Sequence, residues 1–181
     1  AEFARGAHVL DAFSYDGLFA VRAPLAGAES ALCLDSSEQA LERARRNAEL
    51  NGVAGRLTVE RVDAMKDLRG RGQGGDRYGL AVIDPPAFAR NRKQVEGAER
   101  GYRELNRRAM GLVEPGGMLC TASCSYNMTP WRFVELLRAS AALAGRRAYL
   151  EELRGAPPDH PVLLALPETW YLKCAFVRVD G

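Results

Sequence analysis

Residues 8–17 read His-Val-Leu-Asp-Ala-Phe-Ser-Tyr-Asp-Gly, an apolar run closed by an acid and a short loop that ends on glycine. His8 to Ala12 has the length and content of a buried strand, and a helical pattern follows near Gly17 to Ala26. The same unit recurs. Ser30 to Leu34 is a second strand ending at Asp35, and Ser37 to about Leu50 is a helix with Ala40, Leu41, Ala44 and Ala48 on one face. Ser36 and Gln39 have capping-box spacing at its start, and Asn51-Gly52 supplies its stop. Further strands are expected at Arg56 to Val62, Gly79 to Ile83 and, after the Gly116-Gly117 turn, Met118 to Ser123. Helices are expected at Val95 to Val113 and at Pro130 to Ala144, where Pro130 sits at a permitted first-turn position. Two late strands, near Arg147 to Leu153 and Tyr171 to Val179, close the chain. Arg69 to Gly75, Arg-Gly-Arg-Gly-Gln-Gly-Gly, reads as a flexible solvated loop, with RNA binding as the alternative. Gly155 to Glu168, with its prolines, reads as irregular. Repeated strand–helix alternation implies parallel strands and right-handed crossovers. The fold class is therefore α/β, a doubly wound Rossmann-like sheet, mostly parallel with an antiparallel strand near the C-terminus, as one domain over residues 1–181.

Composition bounds the class without naming the chemistry. The 181 residues are 47% hydrophobic, 27% charged and 8% aromatic, which suffices for a core without staples. No run approaches the ~18 apolar residues of a membrane span, and no signal peptide opens the chain. The first strand begins within eight residues, so either the domain starts abruptly or a segment precedes it. Lysine plus arginine is 25 and aspartate plus glutamate 23, a net charge of +2. That balance is too even to mark a nucleic-acid binder by bulk charge. Cys33, Cys120, Cys124 and Cys174 are far apart in sequence with no CxxC pair, which disfavours zinc. No metal is expected, and a reduced, cytoplasmic protein is the default.

Ligands of doubly wound sheets lie beyond the carboxyl ends of the strands, near the point where strand order reverses. Four expected strand ends carry an acid: Asp11 with the loop Phe13-Ser14-Tyr15-Asp16-Gly17, then Asp35, Asp63 and Asp84. Gly17 permits close backbone approach to a ligand. Asp35 follows it by about 18 positions, near the ~20-residue offset at which an acid binds ribose hydroxyls. Asp63 suits a hydrogen bond from an adenine amine. Each acid alone also reads as a helix N-cap, but three successive strand ends matching one nucleoside are harder to explain that way. There is no GxGxxG to cradle a pyrophosphate, and acids flank the loop. Such a loop repels phosphate and suits a sulfonium or an ammonium. The expected cofactor is S-adenosylmethionine.

Asp84-Pro85-Pro86-Ala87-Phe88 follows the fourth strand. Its prolines fix the backbone and leave carbonyls free to accept from the amine of a base, and Phe88 could stack on a flipped base. A rigid turn is the plainer reading. The fifth strand ends in Thr121-Ala122-Ser123-Cys124-Ser125, which puts Cys124 on the same rim if strands four and five are neighbours. Cys33, Cys120 and Cys174 read as buried strand residues. A thiolate adding to C6 of a pyrimidine would make C5 able to attack a methyl sulfonium. A base must then remove the C5 proton, and His160 in Asp159-His160-Pro161 is one candidate. Asp84 could hold the N3 and amine edge of cytosine. Methylation of a base nitrogen would use the same carbonyls without Cys124.

With these residues in view, nearly the whole chain resembles the catalytic domain of the bacterial large-subunit ribosomal RNA cytosine-C5 methyltransferases, class I S-adenosylmethionine enzymes. The matching stretches include Leu10 to Tyr15 with Gly17, Asp35-Ser36-Ser37, Asn47 with Leu50-Asn51-Gly52, Asp84 to Phe88, Arg100-Gly101-Tyr102, Asn106 and Pro115-Gly116-Gly117. Thr121 to Ser125, Asp159-His160-Pro161, and Pro167-Glu168 with Tyr171-Leu172-Lys173 complete the set. The resemblance implies Cys124 as nucleophile with Asp84 beside it. It implies a cofactor cradled by Asp11, Phe13, Ser14, Tyr15, Gly17, Asp35, Ser36, Asp63, Ala64 and Asp84, and substrate contacts from Pro85, Pro86, Phe88, Arg100 and Tyr102. The family usually has a second glycine where Leu18 stands, and a small or hydroxyl residue where Asp16 stands. Leu18 is expected to narrow the cofactor loop, and Asp16 to add charge near the methionine end. The family also usually carries an N-terminal RNA-binding PUA domain and a β-rich connector, so the chain is expected to be the catalytic part of a longer enzyme.

From Arg90 to Arg108, Arg90, Arg92, Lys93, Arg100, Arg103, Arg107 and Arg108 stand against Glu96, Glu99 and Glu104. This stretch could contact phosphates or simply be a solvated helix face. The expected partner is ribosomal RNA, bound weakly by this part alone, with no membrane; a homodimer stays open. Three readings remain: an RNA cytosine-C5 methyltransferase using Cys124, a methyltransferase acting on a base nitrogen, and a non-catalytic cofactor-binding module.

Overall fold

The computed structural model describes residues 2–88 and 95–181. Arg90, Arg92, Lys93 and the Glu96 side chain, counted in the basic stretch above, lie outside the described residues. The elements run β1 (His8–Ala12), α1 (Leu18–Leu25), β2 (Ser30–Asp35), α2 (Glu38–Leu50), β3 (Leu57–Arg61), α3 (Ala64–Gly74), β4 (Tyr78–Ile83), α4 (Val95–Leu112), β5 (Val113–Ser123), α5 (Pro130–Ala144), β6 (Arg147–Arg154) and β7 (Lys173–Asp180).

The strands form one seven-stranded sheet in the order β3-β2-β1-β4-β5-β7-β6. The first five are parallel, and β7 lies antiparallel between β5 and β6. Alternate residues of each strand serve opposite faces. Leu10, Leu34, Ile83 and Leu119 pack under α3, α4 and α5 through Leu68, Leu105 and Phe133. Val9, Cys33, Leu80 and Met118 pack toward α1 and α2 through Ala20, Leu41 and Ala44. Strand order reverses between β1 and β4, which opens a crevice at their carboxyl ends.

Three sequence expectations change. Arg69 to Gly75 is not a loop but most of the second half of α3, with Gly75 at φ 85° closing it. Asp63 caps the start of that helix, Leu68 is buried, and Arg71 is gripped by Glu60, Asp67 and Asp76. These contacts outweigh the weak helix propensity of its glycines. The cap of α2 is Ser37, whose hydroxyl accepts the Ala40 amide at 3.3 Å, not Ser36 with Gln39. Ser36 is displaced outward because Asp35 already turns the backbone, accepting the Ser37 amide at 2.9 Å. Finally β5 begins at Val113, so Gly116 and Gly117 form a bulge within the strand rather than a turn before it. A Cβ on Gly117 would stand 2.9 Å from the Gly79 carbonyl, which explains the glycine.

Candidate active site

The loop after β1 is strained and tightly held. Phe13 (φ 63°) and Tyr15 (φ 50°) occupy the left-handed region without being glycine. The strain is compensated by bonds across to β2: Ser14 donates its amide to the Leu34 carbonyl, and Tyr15 donates its amide to Asp35 Oδ2 at 2.9 Å. The Ser14 hydroxyl turns inward, donating to the Leu34 carbonyl at 3.2 Å and accepting from the Cys33 thiol at 2.9 Å. Burial pushes that thiol up to about 12. Gly17 (φ 75°) starts α1, and its missing Cβ makes room for a helix rather than a ligand. A Cβ there would lie 2.8 Å from that of Ala44 on α2. Asp11 is 1% exposed; Oδ2 accepts the Ala20 amide at 3.0 Å, while Oδ1 has no hydrogen-bond partner. Burial, reinforced by the charges of Asp84, Asp35 and Asp16, lifts its pKa to about 7 against the pull of the Ala20 amide.

A cavity of about 730 Å³ runs along the carboxyl ends of the strands. One end is walled by Phe13, Tyr15, Asp35, Ser36, Val62, Asp63 and Ala64. The two Asp35 oxygens each accept one backbone amide, from Ser37 and from Tyr15, so the carboxylate is fixed before any ligand arrives. Asp63 caps α3 and also faces the cavity. The capping reading and the cavity reading therefore hold together for Asp63, while Asp35 lines the cavity and leaves the capping of α2 to Ser37.

At the other end of the cavity, Asp84, Pro85 and Pro86 from the end of β4 meet Cys124 from the end of β5. The Cys124 thiol lies 4.0 Å from the Pro85 carbonyl oxygen. Burial, and secondly the charge of Asp84, raises the Cys124 pKa above the usual thiol value. Asp84 is itself raised by burial. His160, Tyr171 and Leu172 of the β6–β7 connection complete this end.

Other expected site residues stand elsewhere. Tyr102 is fully buried and does not line the cavity; its ring packs on Phe88 at 4.5 Å between centroids, and its hydroxyl is 3.3 Å from that of Ser125. It supports the site from behind instead of touching a substrate. Phe88 spends one face on Tyr102 and lies outside the cavity lining. Arg100 is exposed on α4 and does not line the cavity. Ser14, Gly17 and Asp11 are not among the residues that line the cavity. Leu18 does not narrow the cofactor loop: it is 61% exposed and lines a separate apolar groove with Val9, Phe19 and Leu80. In the basic stretch, Arg107 and Arg108 are both tied to Glu104, whose carboxyl they hold down at about 2. The fold brings Cys120 and Cys174 together, with sulfurs 3.5 Å apart, although they are distant in sequence.

One residue was quoted in the sequence without a role. Lys173 is 3% exposed, and its ammonium donates to the carbonyls of Ser125 at 2.6 Å and Tyr171 at 2.8 Å. The signal was its phase: Lys173 alternates in step with Ala175, Val177 and Val179, the buried face of β7.

Fold and cavity together define a class, a doubly wound α/β protein with a cavity of nucleoside size or larger at the carboxyl ends of its strands. Among the described residues no helix is long and apolar enough to cross a membrane. The chain belongs to the S-adenosylmethionine-dependent methyltransferase family, whose model matches residues 1–166. It is 41% identical over 179 residues to the ribosomal RNA large subunit methyltransferase I of Erwinia tasmaniensis and, over the same length, to that of Aeromonas hydrophila. Each match covers 98% of this chain and 45% of the relative, so the chain spans less than half of their length. The crystal structure of SMU.776 complexed with SAH shares the fold, with a TM-score of 0.84 at 23% identity, over 97% of this chain and 46% of that one.

Proposed function

We propose that the chain transfers a methyl group from S-adenosylmethionine to C5 of a cytosine in large-subunit ribosomal RNA, with Cys124 as the nucleophile. The observation that carries this reading is the meeting of Cys124 with Asp84, Pro85 and Pro86 in one cavity. The names of the relatives support the ribosomal RNA target; the chemistry of a rim thiol supports C5.

The residues present fit the cofactor. Asp11 keeps a buried oxygen without a partner, which a cationic group nearby would satisfy. Asp35 is preset for ribose hydroxyls, and Val62, Asp63 and Ala64 offer an apolar wall with an acceptor for an adenine amine. When bound, S-adenosylmethionine supplies an electrophilic methyl on sulfur. The Cys124 thiolate adds to C6 of the cytosine and loads electron density onto C5. Asp84 holds the N3 and amine edge, with the Pro85 and Pro86 carbonyls as further acceptors. After methyl transfer a base takes the C5 proton, the C6–S bond breaks, and its electron pair returns to Cys124. His160, on the same cavity, is the group we assign to that proton.

RNA carrying 5-fluorocytosine tests this reading, because fluorine at C5 blocks the last step. Incubation with cofactor should give a protein–RNA adduct that survives denaturation, and Cys124→Ala should abolish it. Equal adduct from Cys124→Ala overturns the assignment. The raised Cys124 pKa favours one second reading, methylation of a base nitrogen over the Asp84-Pro85-Pro86 loop. Nucleoside mass spectrometry separates the two, 5-methylcytidine against a nitrogen-methylated base.

A further inference from the structure

Lys173 is a charge in an expensive place. An ammonium taken out of water costs several kcal/mol unless partners replace the solvent. Its two hydrogen bonds go to neutral carbonyls, and among the described residues no carboxylate pairs with it. Both carbonyls belong to segments that wall the reaction end of the cavity: Ser125 follows Cys124 directly, and Tyr171 lines the cavity itself. The register explains the contact, since Lys173 at the start of β7 faces Ser123 at the end of β5. An ammonium has three donors, so one N–H remains beyond these two bonds.

We infer that Lys173 is a positioning residue for Cys124: it clamps the turn after β5 through the Ser125 carbonyl and supplies the positive charge against which the Cys124 thiolate forms. This rests on Cys124 as the nucleophile. In that ionisation the S–H bond breaks, the proton passes to water in the cavity, and both electrons stay on sulfur. The charged or titratable groups facing Cys124 oppose one another. From β4, Asp84 works against the thiolate, and from β7, Lys173 works for it. From the β6–β7 connection, His160 and Tyr171 share the cavity, while Asp35 and Asp63 lie toward its other end. Burial lowers the Lys173 pKa to about 8, with the nearby Cys124 pulling it back up. The lysine is thus charged at neutral pH and loses that charge just as the solution becomes more basic.

The test is the alkylation of Cys124 by iodoacetamide from pH 6 to 10, followed by mass spectrometry on the Cys124 peptide so that other cysteines do not interfere. Lys173→Met should slow alkylation at pH 7, where the lysine is charged, by up to about tenfold, one pKa unit, and Lys173→Arg should restore most of the rate. Cofactor binding measured alongside reports whether each variant is folded. A Lys173→Met profile that superimposes on wild type in a cofactor-binding protein overturns the inference. If Lys173→Met does not fold, the wild-type profile decides. Coupling to a lysine titrating near pH 8 should give a two-step curve, and a single-site curve overturns it. The 5-fluorocytosine adduct reads the nucleophile separately. Equal adduct from Cys124→Ala with the coupling intact refutes the role of Cys124, not its tie to Lys173.

Discussion

The Cys124 thiol stands 4.0 Å from the carbonyl oxygen of Pro85, across the carboxyl ends of two adjacent parallel strands. This contact joins a thiol and the Asp84-Pro85-Pro86 loop, which lie 39 residues apart in the chain. It also places the Asp84 charge where it opposes ionisation of the thiol.

Removing that charge should free the thiol. In Asp84→Asn the Cys124 pKa falls, so alkylation by iodoacetamide at pH 7.5 should rise by about two- to fivefold. An unchanged rate would separate Asp84 from Cys124 electrostatically. Methyl transfer should nevertheless fall, because Asp84 is assigned to the edge of the base.

Asp11 makes stability depend on pH in an unusual direction. Its folded pKa, about 7, lies above the ordinary aspartate value of 3.8. Between those values the folded protein holds a proton that the unfolded chain has released, so this group's contribution to stability falls as pH rises. Asp11→Asn should therefore gain about 1–2 kcal/mol over wild type at pH 8 and little at pH 4, by urea unfolding without cofactor. A larger gain at pH 4 than at pH 8 contradicts the sign. Cofactor affinity should weaken in the same variant.

Gly17→Ala tests whether that glycine serves packing or ligand approach. The new methyl meets Ala44 at a backbone φ of 75°, so stability should drop by about 1–3 kcal/mol in thermal melts. Cofactor affinity, measured well below the melting temperature, should change less. The opposite pattern would return Gly17 to the binding site.

Tyr102→Phe removes only the hydroxyl that approaches Ser125. It should cost about 0.5–1.5 kcal/mol of stability and leave RNA affinity as it was, measured by filter binding. A selective loss of RNA binding would make Tyr102 a substrate contact after all.

The sheet could be read from the chain because buried parallel strands are short apolar runs, and the first four carry an acid at or just past their ends. The α3 helix could not, because glycines mask its period and Arg71 is anchored by Glu60 on β3, Asp67 and Asp76, a contact only the fold creates. At the site, Asp35, Asp63, Asp84 and Cys124 were legible as strand ends. Ser14 and Gly17 were legible as loop residues, yet face inward, because spacing gives a residue's place and not the direction of its side chain. Lys173 was hidden for a different reason. Its partner strand is β5, so the Ser123–Lys173 pairing skips β6 and rests on topology alone.

The strand that carries Lys173 follows β6 in the chain, yet it lies inside the sheet, flanked by β5 and β6. Before β7 joins, the edge of β5 is open and β6 has no partner strand in the sheet. The Ser125 carbonyl beside Cys124 thus meets the ammonium of Lys173 only when β7 is in place, and an intermediate folded through β5 would carry Cys124 without that cation.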